Sequence, residues 1–234
     1  MVITMRNNRI FALCFRLFSF VLCLFGILIT MGAFSGRINW SILLYYTTES
    51  NILVLIMFGV LSVMTAVDLK NHGVIGSVSY CERLSAIVAL AITVTLIIFW
   101  ALLAPVMDRG GLLSFYNLQV HAVTPLLMVF DYLFFAEPGK LKKHDPWFFA
   151  IIPLAYFAQS TALGFSGVRY GGMFGEPTRF PYFFIDFDKL GARVFAYVLF
   201  FFAFFMGLAR LLLWYDKKRS RRSPAARQTR PGRR

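Results

Sequence analysis

The sequence predicts an all-α integral membrane protein, a polytopic bundle of six transmembrane helices with both the N-terminus and the C-terminus in the cytoplasm. Three observations lead to this fold class. The 234 residues are 59% hydrophobic and only 15% charged, whereas about 25% of a soluble domain is charged. The apolar residues form six long stretches, and the basic residues are concentrated in alternate connectors between them.

The composition excludes two broad classes of protein. A disordered chain needs low hydrophobicity and high net charge, and this chain has a high hydrophobic content. A soluble fold of this size could not hide so much apolar surface, since the mean hydropathy is +0.68. The lipid bilayer is therefore the expected solvent.

The crossings follow from length. A helix needs about 20 mostly apolar residues to span the hydrocarbon core of a bilayer. We predict crossings at 11–34, 41–67, 84–106, 112–135, 147–165 and 190–214. The first stretch is too long for a secretory signal and is followed by no small-x-small cleavage site, so it is taken as helix one. Residues 1–10 then form a cytoplasmic N-terminus, 11–214 the six-helix transmembrane domain and 215–234 a basic, disordered cytoplasmic tail.

The orientation follows from the connectors. Sixteen basic residues lie in the N-terminus, the second and fourth connectors and the tail, and five lie in the other three connectors. Because basic connectors stay in the cytoplasm, this bias places both termini inside the cell and the protein in the cell membrane.

The tail itself has two interpretations. Its nine basic residues beyond position 216 suit either a disordered topology anchor or a segment that binds anionic lipid headgroups. The segment has no aromatic residues to stack on bases, so nucleic acid is not an expected partner.

No metal or cofactor is predicted. The three cysteines have no C-x-x-C spacing and none lies in an outer loop, where a disulfide would persist. Haem in a helical bundle needs paired membrane histidines, and His121 is the only histidine within a predicted crossing.

Ionisable side chains within the hydrocarbon core of a membrane are energetically costly and therefore mark functional sites. In the fourth crossing, Asn117, His121, Thr124, Met128 and Asp131 recur at helical spacing. This polar stripe on an apolar helix predicts that these residues face the interior of the bundle.

A second polar cluster lies in the second crossing, where five polar residues follow one another. They are Thr47, Thr48, Glu49, Ser50 and Asn51. With the N-terminus inside, Thr47 would lie about 9 Å and His121 about 13 Å below the outer start of their helices, at about 1.5 Å per residue. The two clusters are therefore expected at similar depth in the outer half of the bilayer.

Other polar groups converge on the same level at the outer ends of helices five and six. They are Tyr156, Gln159, Asp186 and Arg193. We interpret this convergence as a pocket that opens to the outer leaflet. A hydroxyl beside a neutral imidazole is the minimal nucleophile and base pair, so the pocket could cleave a lipid ester. Asn51, Asn117 or Gln159 could donate to the oxyanion.

Three alternatives stand beside a catalytic pair. The threonines could only bond to a carbonyl of their own helix, and the histidine could only tie helices together. His121, Glu49 and Asp131 could form a proton relay in a transporter. Ser166 lies in a G-x-S-G pattern like that of rhomboid proteases, but no histidine follows it, so we interpret the motif as a turn.

Four segments in order resemble a known family. They are YYTTESNILV, NLQVHAVTPLLMVFDYLFF, the Pro-Leu-Ala-Tyr pattern of helix five, and FPYFFID before helix six. Over about residues 10–215 the chain resembles the bacterial predicted six-transmembrane membrane proteins. These are similar to the androgen-induced membrane proteins, which hydrolyse fatty acid esters of hydroxy fatty acids.

The resemblance implies a threonine nucleophile on helix two and a histidine on helix four. The histidine carries over to His121 and the threonine to Thr47 or Thr48. The bacterial pattern of aromatic-Thr-x-x-Ser-Asn favours Thr47, with Ser50 and Asn51 completing it. The eukaryotic motif has an aspartate three residues after its threonine, and this chain has Ser50 or Asn51 there.

The FPYFFID segment has two interpretations of its own. Its aromatic rings could be interfacial anchors beside a helix end, or its proline and aspartate could make a turn that covers the pocket. The leading function is thus a threonine-dependent lipid ester hydrolase without a cofactor. The alternative is a non-enzymatic transporter or lipid-binding protein that uses the same pocket.

Overall fold

The structure, a computed structural model, describes residues 5–107, 109–171 and 177–222. The described chain is helical and contains no β-strand, and six of its helices are long and apolar enough to cross a membrane. The predicted fold class, a six-helix membrane bundle, is confirmed.

We label the six long helices α1 to α6 in chain order. They are α1 (Arg9–Thr30), α2 (Tyr46–His72), α3 (Glu82–Val106), α4 (Phe115–Phe135), α5 (Asp145–Phe165) and α6 (Val194–Arg222). A short helix, Phe187–Leu190, and a turn of 3₁₀-helix, Gly191–Arg193, lead into α6.

Helix α2 begins later than the sequence indicates, at Tyr46 instead of residue 41. The side chain of Asn39 accepts a hydrogen bond from the backbone N–H of Ser41, and Trp40–Leu44 form a 3₁₀ segment. Because Asn side chains compete with the helix for backbone donors, the regular helix starts only after this segment. Thr47 consequently lies in the first turn of α2 and not about 9 Å inside it.

At its other end α2 runs beyond the predicted residue 67 to His72. The guanidinium of Arg9 donates to the carbonyl oxygens of His72 (3.2 Å) and Gly73 (2.7 Å), which are left without partners where the helix stops. Gly73 has a positive φ of 74°, a conformation that glycine adopts without steric cost. The cap supplied by Arg9 therefore lets the helix continue for another turn.

Two of the helices contain a π-helical turn. These turns are Phe99–Leu103 in α3 and Gln119–Val123 in α4. The two π-helical turns contact each other. The Phe99 ring stacks on the His121 ring with centroids 3.7 Å apart. Trp100 Nε1 also donates to the His121 carbonyl oxygen over 3.2 Å. Such turns often occur at functional sites.

Gln119, in the same turn of α4, ties this helix to α1. Its Nε2 donates to the Leu22 carbonyl oxygen (3.0 Å) and to Thr124 Oγ1 (3.3 Å). Its side chain passes over Gly26, where an added Cβ would lie 2.4 Å from Gln119 Cγ. A glycine at position 26 therefore permits the close approach of the two helices.

The bundle has a tight part and a looser part. One apolar core joins α1, α2, α3 and α4. Each helix contributes a fully buried side chain to it, namely Cys23, Phe58, Ile92 and Met128. The most apolar stretches of α3 and α4 bury 56% and 44% of their residues, whereas those of α5 and α6 bury 28% and 17%. Surface that this chain leaves uncovered is available to lipid along α5 and α6.

A buried ion pair crosses the tight part. Arg16 Nε donates to Asp131 Oδ1 over 2.8 Å, and the Arg16 side chain is 1% exposed. The same guanidinium donates to Thr65 Oγ1 (2.6 Å) and to the Val78 carbonyl oxygen (2.9 Å). Asp131 is ten residues from His121, about 15 Å along a helix, so the structure does not join it to His121 in the relay considered above.

Both ends of the described chain lie at one end of the bundle. Arg6 Nη2 and Arg219 Nη2 both donate to the Ala136 carbonyl oxygen, over 2.9 and 3.3 Å. The Thr47 and His121 positions, at the starts of α2 and α4, lie at the opposite end.

The start of the predicted tail differs from the expectation of an unpacked segment at 215–234. Helix α6 continues to Arg222, and Asp216 is 2% exposed. Its carboxylate accepts hydrogen bonds from the backbone N–H groups of Gly139 (2.9 Å) and Leu141 (3.1 Å). This contact holds the extra turns of the helix, and residues 223–234 lie outside the described part of the chain.

Removing one member of the Arg16–Asp131 pair is expected to destabilise the protein strongly. Asp131→Ala leaves the Arg16 charge buried without a counter-ion, which costs about 3–5 kcal/mol. Thermal unfolding in detergent micelles measures the loss. The double variant Arg16→Met/Asp131→Leu should recover most of it, and an Asp131→Ala protein as stable as the wild type would contradict the prediction.

Labelling of the native Cys81 tests the orientation. Cys81 is exposed in the connector between α2 and α3, on the side predicted to be cytoplasmic. In a Cys14→Ala/Cys23→Ala variant, a membrane-impermeant maleimide should label Cys81 only after the cells are opened. The matched control adds Cys81→Ala and Ser166→Cys, which moves the thiol to the opposite end of the bundle and should give labelling of intact cells. The reverse pattern would show that both termini face outward.

Candidate active site at the starts of α2 and α4

The structure brings one predicted hydroxyl to the predicted base. Thr47 Oγ1 lies 3.2 Å from His121 Nε2. Thr65 and Thr93 instead donate to the carbonyl four residues earlier in their own helices, which is the structural alternative for a membrane threonine. The Thr47 hydroxyl instead faces the imidazole, which is the arrangement of a nucleophile and its base.

A backbone carbonyl sets the tautomer of His121. His121 Nδ1 lies 3.0 Å from the Asn117 carbonyl oxygen. A carbonyl oxygen can only accept, so Nδ1 carries the proton and donates it. In the neutral imidazole, Nε2 then presents its lone pair to the Thr47 hydroxyl. This is the arrangement that a general base requires, with a third group orienting the ring.

The neighbouring threonine does not share this contact. Thr48 is 3% exposed, and no hydrogen bond joins it to His121 in the described chain. Successive helical residues point about 100° apart, so only one of the two can face α4. The geometry selects Thr47, the position that the bacterial pattern favours.

Asn51 holds Thr47 and His121 in register. Its Nδ2 donates to the Thr47 carbonyl oxygen (2.8 Å) and to the Val120 carbonyl oxygen (3.0 Å). Its side chain is fully buried. One amide thus links the backbone of the hydroxyl-bearing residue with the backbone just before His121.

Ser50 and Glu49 make supporting contacts of a different kind. Ser50 Oγ lies 2.7 Å from Thr95 Oγ1, which joins α2 to α3. Glu49 Oε1 accepts from Gln159 Nε2 over 2.7 Å, which joins α2 to α5.

The expected amide donors to an oxyanion are engaged elsewhere. Asn51 uses both hydrogens of its Nδ2 on carbonyl oxygens, Asn117 Nδ2 donates to the Leu112 carbonyl oxygen (2.9 Å), and Gln159 Nε2 donates to Glu49. These groups satisfy nearby acceptors because an unpaired carbonyl in an apolar medium is costly. The structure therefore supports helix-linking roles for Asn51 and Gln159, whereas Asn117 bonds locally to the segment just before its own helix.

The remaining predicted site residues divide into two groups. Thr124 is fully buried beneath the site, and Tyr156 donates its hydroxyl to the Leu44 carbonyl oxygen over 3.1 Å. Asp186 instead caps the short helix at Phe187, where it accepts from the backbone N–H groups of Asp188 and Lys189. Arg193 is exposed, and no side-chain hydrogen bond holds it within the described chain. The last two residues are thus not brought to Thr47 and His121.

Ser166, the rhomboid-like alternative, lies in a turn, as interpreted above. Its hydroxyl donates to the Leu163 carbonyl oxygen over 2.9 Å, and it forms the C-terminal cap of α5. Gly167 follows with φ of 94°, a conformation that ends helices.

An apolar cleft of about 90 Å³ opens beside Thr47. It lies among α3, α5, α6 and the segment between α5 and α6, and its walls are mostly aliphatic and aromatic. Those walls include Val94, Ile98, Pro153, Phe157, Val198, Phe201 and Phe205. The cleft thus runs from the hydroxyl into the loosely packed half of the bundle.

The FPYFFID segment, residues 180–186, covers one side of the cleft. Phe180, Phe184 and Ile185 are 2%, 9% and 5% exposed, where interfacial anchors would face outward. Tyr182, Phe184 and Ile185 line the cleft together with Thr47. The structure thus agrees with the second interpretation of this segment, a turn over the pocket.

Burial raises the pKa of the Tyr182 phenol to about 12, and hydrogen bonding with Thr47 and Tyr156 opposes part of that rise. The phenol therefore keeps its proton at neutral pH. Tyr182 is a site residue that the sequence did not single out. The sequence signal that could have identified Tyr182 is its place in the aromatic run before α6.

Within the described residues, no three His, Cys, Asp or Glu side chains lie close enough together to hold a metal ion. Comparison with protein-family models, with curated proteins and with solved structures finds no match to this chain.

The tautomer of His121 can be measured directly. In protein labelled with ¹⁵N-histidine, we expect one of the three ring systems to show a protonated Nδ1 and an unprotonated Nε2 near neutral pH, because the Asn117 carbonyl accepts from Nδ1. The spectrum of His121→Gln assigns that signal by its loss. A protonated Nε2 at His121 would contradict the geometry.

Proposed function

We propose that this protein is an intramembrane ester hydrolase that cleaves fatty-acyl esters, with Thr47 as nucleophile and His121 as general base. The observation that carries the proposal is the 3.2 Å contact between Thr47 Oγ1 and His121 Nε2. The fixed Nδ1–H tautomer supports it, because it leaves Nε2 free to take a proton.

The reaction would follow the acyl-enzyme route. Thr47 Oγ attacks the ester carbonyl carbon while its proton passes to His121 Nε2. The tetrahedral intermediate collapses, the bond to the leaving oxygen breaks, and the alcohol takes the proton from Nε2. Water, deprotonated by the same nitrogen, then attacks the acyl-threonine and releases the fatty acid and the Thr47 hydroxyl.

The apolar cleft supports a long hydrocarbon as the acyl part of the substrate. Its walls offer almost no hydrogen-bonding side chains apart from two threonines and three tyrosines, which are Thr47, Thr95, Tyr46, Tyr156 and Tyr182. Phe201 and Phe205, on α6, lie a helical turn apart along it. An acyl chain placed there would have its carbonyl at Thr47 and its tail against these rings.

Entry from the bilayer is supported by the sparse packing of α5 and α6. Leu154, a residue of the cleft wall, is 41% exposed on the outside of the bundle. A lipid ester could therefore reach the hydroxyl sideways. We place the site at the outer leaflet and both termini in the cytoplasm on the basis of the distribution of basic residues.

The basic end of α6 is proposed to contact anionic lipid headgroups. Lys218 Nζ lies 4.5 Å from the centre of the Trp214 ring. Lysine beside tryptophan at the end of a membrane helix is typical of the interface with headgroups.

The second candidate function is lipid binding or transport without chemistry, which the same apolar cleft favours. It requires no reactive hydroxyl. Substitution of Thr47 should then leave the function intact, so one set of variants separates the two candidates.

Turnover of a fluorogenic fatty-acyl ester by purified protein tests the catalytic pair. Thr47→Ala and His121→Ala should each lower the rate by about a hundredfold or more, since a positioned general base contributes about 10²–10⁴. Thr48→Ala is the matched control, because it removes the adjacent buried hydroxyl that does not reach His121, and it should keep most of the rate.

A fluorophosphonate probe provides the second readout. It should label the wild type and Thr48→Ala and leave Thr47→Ala unlabelled. Turnover that survives both Thr47→Ala and His121→Ala would overturn the proposed hydrolase and favour the binding protein.

A further inference from the structure

The acyl-enzyme route needs a donor to the oxyanion. Removing such a donor from a hydrolase costs about 10²–10³ in rate. The side-chain amides nearest the site are committed to carbonyl oxygens or to Glu49. Asn51, whose amide bonds to the backbone of Thr47 itself, thus has no hydrogen left for an oxyanion. The backbone of α2 and the segment that covers the cleft offer donors beside Thr47.

The start of α2 offers backbone N–H groups. Glu49 is the first residue of this helix whose N–H donates to a carbonyl of the preceding turn, that of Tyr45. The N–H of Thr47 therefore has no intrahelical acceptor. The positive end of the helix dipole also lies here, next to the hydroxyl that would attack.

Tyr182 brings a second donor to the same place. It borders the cleft together with Thr47. Its ring stacks on Phe184 with centroids 5.2 Å apart and nearly parallel planes, and it contacts the rings of Tyr156 (6.2 Å) and Tyr45 (6.1 Å). Rings on several sides fix the direction of the phenol.

The segment that carries Tyr182 is anchored at both ends. Before it, Thr178 and Tyr170 exchange two backbone hydrogen bonds of 3.0 and 2.7 Å. Gly164 lets it approach α5 closely, since an added Cβ there would lie 2.6 Å from the Arg179 carbonyl oxygen. After it, the Asp186 cap begins the next short helix. The position of the phenol is thus held by the fold around it.

We propose that Tyr182 is a catalytic residue, whose phenolic O–H, together with the backbone N–H of Thr47, donates to the oxyanion of the tetrahedral intermediate. This inference rests on the proposed hydrolase function. The negative charge that forms on the carbonyl oxygen would meet one neutral O–H donor and one N–H at the positive end of α2. No proton is transferred to the oxyanion, and the phenol returns unchanged when the intermediate collapses.

Tyr182→Phe tests the inference, because it keeps the ring stacking and removes only the hydroxyl. We expect kcat for the fluorogenic ester to fall by about 10²–10³ with little change in KM. The matched control is Tyr170→Phe. Tyr170 lies in the same connector, is fully buried, and has a hydroxyl with no hydrogen-bond partner among the described residues. Its substitution should leave kcat and the unfolding temperature near those of the wild type.

A transition-state analogue separates a catalytic from a structural role. A trifluoromethyl ketone with a fatty-acyl chain adds to Thr47 and carries an oxyanion, whereas the corresponding secondary alcohol binds the cleft without adding. Tyr182→Phe should weaken binding of the ketone by about the same factor by which it lowers kcat. Binding of the alcohol should not change.

Two outcomes would overturn the role of Tyr182. One is a Tyr182→Phe enzyme that is as active as Tyr170→Phe. The same holds for a Tyr182→Phe enzyme that is more active than the wild type, which would show that the phenol obstructs the substrate site. The other is an equal loss of affinity for ketone and alcohol. Either result, obtained while Thr47→Ala and His121→Ala remain inactive, would leave the hydrolase proposal standing. Full activity of those two variants would remove the hydrolase proposal itself.

Discussion

Asn51 ties α2 to α4 through both hydrogens of one buried amide, which bond to the carbonyl oxygens of Thr47 and Val120. In a bilayer no water is present to satisfy backbone groups that a helix leaves unpaired. The π-helical turn of α4 frees such groups, and Asn51 supplies a donor at that point. Because one bond ends on the residue before His121 and the other on Thr47 itself, the same constraint that satisfies the backbone also sets the distance between hydroxyl and imidazole.

The polar stripe of α4 serves two separate purposes along its length. Asn117 and His121, near one end, form the candidate site. Asp131, near the other end, neutralises Arg16 inside the tight part of the bundle. A buried ion pair contributes little net stability by itself, but either charge alone would be very costly. The pair therefore specifies how α1 and α4 align, and that alignment leaves the opposite end of α4 free to carry the imidazole.

Phenylalanine, which occurs 27 times in the chain, has a specific role in the looser half of the molecule. Rings from α6 and from the segment before it, such as Phe184 and Phe201 at 4.9 Å, form walls around space and do not fill it completely. Aromatic side chains are stiff and bulky, so they keep a cleft open beside Thr47. A hydrocarbon chain fits such a space far better than a polar ligand does, which is why we propose a fatty-acyl ester as the substrate of the candidate site.

The sequence by itself determined the six crossings, because the length of an apolar run is a local property, and its helical spacing predicted that Asn117, His121 and Asp131 face the interior of the bundle. Only the tertiary structure decided between Thr47 and Thr48. Adjacent residues point about 100° apart, and the late start of α2 together with the neighbouring α4 sets which one meets His121. The tertiary structure also decided where the amides point and brought Tyr182 to the site. Those positions depend on carbonyls and rings from distant helices, and no local pattern in the chain encodes them.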